Sequence, residues 1–130
     1  MKTELLYLVY VAAFTGLLWV PYVLNRMTVW GLPPTVGYPD NPPPQTPWAR
    51  RLMKAHANAV ENLVVFAALV LAAHALGVSS PVTEQAAIIY LWARVAHALV
   101  YTLAIPWLRT LAFTVGFLAQ AAIAWQILVR

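Results

Sequence analysis

The 130-residue chain contains no cysteine, which removes disulfides, thiolate metal sites and a cysteine nucleophile from consideration. Any thiol chemistry carried out here must use a thiol brought by another molecule. Charge is scarce as well. Asp, Glu, Lys and Arg make up 9% of residues against 62% hydrophobic, a balance that excludes an ordinary soluble domain and indicates a small integral membrane protein of one domain.

Two long runs contain no charge at all, Leu5 to Leu24 and Thr110 to Val129. Each is long enough to cross a hydrocarbon core of about 30 Å as a helix, which takes roughly 20 apolar residues. Between them, Leu63 to Leu76 extends a segment carrying Asn58 and Glu61, and Ala86 to Ile105 carries Arg94, His97 and Tyr101. The expected architecture is therefore an all-α, multi-pass membrane bundle of four spans, with polar residues confined to the middle two. A cleaved signal peptide fits the first run poorly, because a single basic residue precedes it, the run is long and no A-x-A site closes it.

The net charge is +4, and its placement carries more information than its size. Arg26, Arg50, Arg51 and Lys54 cluster in or beside the first loop and Arg109 lies at the third, whereas the second loop has no Lys or Arg. By the positive-inside rule, the first and third loops face the cytoplasm and both termini lie on the opposite side. Scattered juxtamembrane cations of this kind are topology signals, so no nucleic-acid partner is expected.

Pro21 predicts a kink toward the end of span one, which is expected over Glu4 to Arg26. Met27 to Pro47 then holds seven prolines and two glycines, a density that predicts turns and polyproline II rather than helix. The second helix is expected from near Thr46 to Trp48 through about His74. A turn at Gly77 to Pro81 follows, with Thr83 as N-cap of the third helix, and Pro106 separates the third helix from the fourth.

Ionisable groups in hydrocarbon cost about 2.5 to 3.5 kcal/mol each on the insertion scale, so they persist when paired, wetted or used. Lys54, Asn58 and Glu61 are spaced i, i+4, i+7, and Arg94, His97 and Tyr101 are spaced i, i+3, i+7. Each trio falls on one helical stripe, and both stripes are expected to face the bundle interior, with Glu61 and Arg94 paired. No metal site is expected, since no H-x-x-x-H or E-x-x-H pair occurs. Ser79 and Ser80 lie far from His97 in span depth, which argues against a serine nucleophile. What remains is a cytoplasmic-end site rich in cations and donors, suited to an anionic, carboxylate-bearing ligand.

The stretch from Arg51 through Lys54, His56 and Asn58 to Glu61, followed by Arg94-Val-Ala-His97-Ala-Leu-Val-Tyr101 and Arg109, resembles the MAPEG family of membrane proteins in eicosanoid and glutathione metabolism. The resemblance covers nearly the whole chain. It implies a homotrimer that binds glutathione as cosubstrate between neighbouring subunits near the cytoplasmic side, and a lipophilic second substrate arriving from the membrane lipid. It assigns glutathione binding to Arg26, Arg51, Lys54, Asn58, Glu61, Arg94, His97 and Tyr101, with Glu61 suited to the tripeptide's amino group. Arg109 and Tyr101 become the catalytic pair, Arg109 as the cation that activates the thiol. The implied activity is thiolate attack on a lipophilic electrophile or hydroperoxide. The alternatives are a non-catalytic lipid-binding scaffold on the same fold and a small four-helix transporter, the latter opposed by the long proline loop and the absence of an acidic residue inside span one.

Overall fold

The computed structural model describes residues 2–129, which are helical almost throughout and contain no strand. Helix α1 covers Thr3–Leu17 and α2 covers Trp19–Trp30, together forming one rod with a break at Leu18. The break follows from Pro21, which has no N–H to offer the carbonyl four residues earlier and whose ring crowds it. The rod then runs on to Trp30, four residues past the expected end at Arg26.

The proline segment departs from expectation in one place. Leu32–Val36 forms a short helix, α3, with its prolines in the first turn, where a missing N–H leaves nothing unsatisfied. Gly31 precedes it at φ 83°, a conformation open to glycine without a Cβ penalty. Thr35 reinforces the turn by donating its hydroxyl to the Gly31 carbonyl at 2.8 Å.

Helix α4 spans Pro47–Ala75 and α6 spans Pro106–Leu128, each opening on a proline as the sequence predicts. Helix α5 spans Pro81–Thr102, and its N-cap is Ser80 rather than Thr83. Thr83 occupies the third helical position, accepting from the Ser80 N–H at 2.8 Å and donating its own N–H to Ser80 Oγ at 3.3 Å, which is a capping box.

Three rods are long and apolar enough to cross a membrane: Thr3–Trp30, Pro47–Ala75 and Pro106–Leu128. Helix α5 falls outside that set, and it is central, packing against α1, α4 and α6. Small residues allow that: Ala86, Ala87, Ala93 and Ala98 of α5 are buried, and Gly116 of α6 sits 3.7 Å, by its would-be Cβ, from Ala93 and Tyr90. Phe66 and Tyr90 stack at 4.0 Å between centroids in the core, joined by Val11, Val70 and Ile123. The outer surface is apolar in turn, with Val9, Leu17, Val64, Leu99, Leu111 and Leu118 all exposed, as suits helices solvated by lipid rather than water.

Candidate functional site

Polar side chains gather where the first half of α4, the end of α5 and the start of α6 meet. Arg94 anchors the group. It is 3% exposed, and its Nη2 donates to Asn58 Oδ1 at 2.6 Å and to His97 Nδ1 at 3.4 Å. Guanidinium only donates, so His97 accepts at Nδ1 and carries its proton on Nε2. Asn62 Nδ2 also donates to Asn58 Oδ1, at 3.3 Å. The Asn58 oxygen is thus fixed by two donors, and Asn58 lines a cavity of about 300 Å³ together with His97, Tyr101, Arg109, Thr110 and Phe113.

The expected Glu61–Arg94 pair is replaced by this Arg94–Asn58 bond. Glu61 is exposed on the subunit, as is Lys54. At about 100° per residue, Lys54 and Glu61 are both rotated to the same side of Asn58, by about 40° and about 60°. The buried edge of α4, formed by Ala55 and Ala59, lies to the other side. The stripe read from the sequence is real, but Asn58 marks the rim of the buried face and its neighbours lie beyond it, so the interior expectation holds for Arg94, His97 and Asn58 and not for Lys54 or Glu61.

Arg109 is exposed and stacks over the Tyr101 ring with its central carbon 4.8 Å from the centroid. The reversal that brings it there is the α5–α6 turn, where Ile105 N–H bonds the Val100 carbonyl and Ala104 N–H bonds the Tyr101 carbonyl, with Ala104 in the left-handed region at φ 62°. This is a Schellman-type stop with alanine in the place glycine usually holds. On the far side of the Arg109–Tyr101 pair lies a second cavity of about 240 Å³, to which Arg51, Val100, Ile105 and Pro106 contribute. Arg51 Nε donates to the Thr102 carbonyl at 2.9 Å. Arg50, Arg51 and Lys54 line a third hollow at the opening of α4. Of the chain's four acidic residues, none lines these three cavities.

Arg26 stands apart from this group. Its Nε donates to Gln45 Oε1 at 2.9 Å and its guanidinium lies 5.1 Å from the Trp30 ring centre. Gln45, 6% exposed, also donates to the Tyr22 carbonyl at 2.7 Å and to Asn25 Oδ1 at 3.1 Å, so it ties the end of the proline segment to α2. Gln45 and Asn62 were not legible as site residues; a polar amide at the end of a proline run and a second Asn four residues after Asn58 are weak signals in isolation. The Tyr22–His56 hydrogen bond of 2.8 Å, joining α2 to α4, was also missed, because nothing in the sequence spacing relates residues so far apart.

Among known proteins, the model of the MAPEG family matches residues 7–129. No curated protein matches the chain.

Proposed function

Because the chain belongs to the MAPEG family, whose members act in membrane-associated glutathione and eicosanoid metabolism, we propose that it is a glutathione-dependent membrane transferase or peroxidase built as a four-span bundle. The observation that carries the reading is the Arg109–Tyr101 pair standing between two cavities that hold cations and no carboxylate. Helix α5 serves as the fourth span: its 22 residues reach about 33 Å at 1.5 Å per residue, and its central position shields Arg94 and His97 from lipid.

The reading takes the chain as a homotrimer, and the exposed face of α4 is what supports that part of it. The exposed residues Lys54, Ala57, Glu61, Val64, Ala68 and Leu71 of α4 follow a 3-4-3-4-3 spacing, the seam pattern of helices packed on helices. A carboxylate and an ammonium on that seam are costly in lipid and call for cover by a neighbouring copy or a polar ligand. In that arrangement Lys54 and Glu61 meet the ends of glutathione, Glu61 its ammonium and Lys54 a carboxylate. Asn58 donates from an amide whose orientation Arg94 fixes. Arg26, pinned by Gln45, serves the neighbouring subunit's site. The basic loops face the cytoplasm, where glutathione enters, and the lipophilic substrate enters sideways from the bilayer.

The chemistry follows from one charge. A free thiol has a pKa near 8.5, and lowering it by one unit requires about 1.4 kcal/mol of preferential thiolate stabilisation. The Arg109 guanidinium, stacked in place on Tyr101, supplies a preorganised positive charge, with the Tyr101 hydroxyl as a second donor. The thiolate then attacks an electrophilic carbon, or a peroxide oxygen whose O–O bond breaks to release an alcohol. In the peroxide case a second glutathione completes the disulfide and water is the other product.

The test is Arg109→Leu in lipid bilayers. Glutathione affinity should hold while the ultraviolet absorbance of bound thiolate disappears and turnover falls by about two to three decades; Arg109→Lys should keep part of both. If wild-type protein shows neither glutathione binding nor thiolate, the enzyme reading is wrong and the lipid-binding scaffold becomes the better account.

A further inference from the structure

Two cavities away from the cationic site follow one another along the α5–α6 seam. The first is a polar hollow of about 540 Å³, where Ser79 and Ser80 of the α4–α5 turn meet Trp125 and Gln126 near the end of α6. The second is an apolar groove of about 570 Å³, with buried Ala86 and Ala119 as its floor and exposed Val82, Ile89, Val115 and Leu118 as its walls. Pro81 lines the groove directly after Ser80 lines the hollow, and on α6 Ala122 lines the groove one turn before Trp125 lines the hollow. The groove therefore begins where the hollow ends. From Pro81 to Ile89 it runs about 12 Å at 1.5 Å per residue, most of the roughly 15 Å of hydrocarbon in one leaflet.

The hollow favours a cation. Ser79 spends its hydroxyl proton on Glu4 Oε2 at 2.7 Å, so what it has left to offer is oxygen lone pairs. Helix α6 ends at Leu128, and the last carbonyls of a helix lack intrahelical partners and carry its negative pole. Trp125, 63% exposed, adds an indole face of the kind that attracts ammonium groups, at the height where tryptophans mark the headgroup layer. No Lys or Arg is among the described residues that line the hollow. We infer that hollow and groove together seat one membrane lipid with an ethanolamine headgroup, its ammonium in the hollow and one acyl chain in the groove. A second copy of this chain would need a polar end on an apolar stem to fill both, a profile that a phospholipid has by construction. The site lies at the end of α6 opposite Arg109 and is independent of the glutathione reading.

The experiment places the protein in phosphatidylglycerol nanodiscs with a trace of phosphatidylethanolamine carrying a photoactivatable diazirine midway along one chain, and maps the cross-links by peptide. Label should concentrate on residues 81–89 and 115–122, at least about threefold above that from a phosphatidylglycerol probe with the same chains. Trp125→Leu should bring the two probes level. Ala122→Leu, whose larger side chain fills the groove, should remove the label from both stretches; if that variant fails to fold, Ile89→Trp on the exposed wall must show the same loss. Label spread evenly over the apolar outer surface overturns the site. So does its absence from those two stretches, the result that a second copy seated in the groove would give. Equal labelling by the two probes in wild type rejects the ethanolamine headgroup. Loss of label on adding free ethanolamine equimolar with the probe assigns the hollow to a soluble amine and rejects the lipid. None of these readouts involves glutathione, so they stand or fall apart from the proposed activity.

Discussion

The two ends of the packed helices treat charge in opposite ways. Where α1 begins and α4 turns into α5, Glu4 is 5% exposed, and its Oε2 accepts the hydroxyls of Ser79 at 2.7 Å and Thr83 at 2.8 Å. The capping box of Ser80 and Thr83 closes the same corner. One carboxylate is thus enclosed by groups of its own chain, and it fastens α1 to the α4–α5 turn. At the other end Arg51 and Arg109 face cavities without any carboxylate. A chain with so few charges has used one of them as a fastening and left several cations open at the opposite end.

Breaking that contrast should be hardest at a residue that serves both purposes. Asn58 accepts from buried Arg94 while lining a cavity. Asn58→Leu strands a buried guanidinium and should cost about 3 kcal/mol of stability, visible as a lower melting temperature in detergent, together with loss of glutathione binding. Loss of binding with no change in melting would show that Arg94 finds another partner.

At the closed end the effects should be structural alone. Glu4→Ala removes the acceptor of two hydroxyls and should destabilise by about 2 kcal/mol. Glu4→Gln keeps one oxygen for both and should cost less than about 1 kcal/mol, with turnover per folded molecule unchanged in both. A turnover loss at equal folding would erase the distinction between the ends. The gentlest test alters no interaction: with no native cysteine, single cysteines at exposed Val36 and Leu76 report sidedness to an impermeant reagent. Labelling in intact cells should occur at Leu76→Cys and not at Val36→Cys; the opposite pattern reverses the orientation.

What was legible in the sequence follows the range of the forces involved. Prolines at the first helical positions of α4 and α6 mark where those helices begin, and the spacing within α5 brings Arg94, His97 and Tyr101 to one face, because both effects are local; Pro81 opens α5 in the same way, although the sequence places it in the preceding turn with Thr83 as the cap. The Glu61–Arg94 pairing failed because a stripe defines a direction only to within the width of a side chain, and about 60° of rotation separates Asn58 from Glu61. The Leu32–Val36 helix is hidden because proline density speaks against helix, whereas position in the first turn decides whether a proline is tolerated. Gln45, Asn62 and the Glu4 corner depend on residues far apart in the chain, which no local pattern relates. Orientation and subunit number are set by lipid and by other copies, and neither is encoded in the contacts of one chain.

The left-handed alanine in the α5–α6 turn bears on how this protein tolerates sequence drift. Arg109 reaches Tyr101 only because that turn has its present length; one residue inserted or deleted between them rotates the start of α6 by about 100° and carries the guanidinium away from the Tyr101 ring. Holding Ala104 at positive φ costs on the order of 1 kcal/mol relative to glycine, so Ala104→Gly is open as a stabilising step while any change in turn length is closed. Loop length here is under tighter constraint than loop composition, the reverse of what surface connections ordinarily permit.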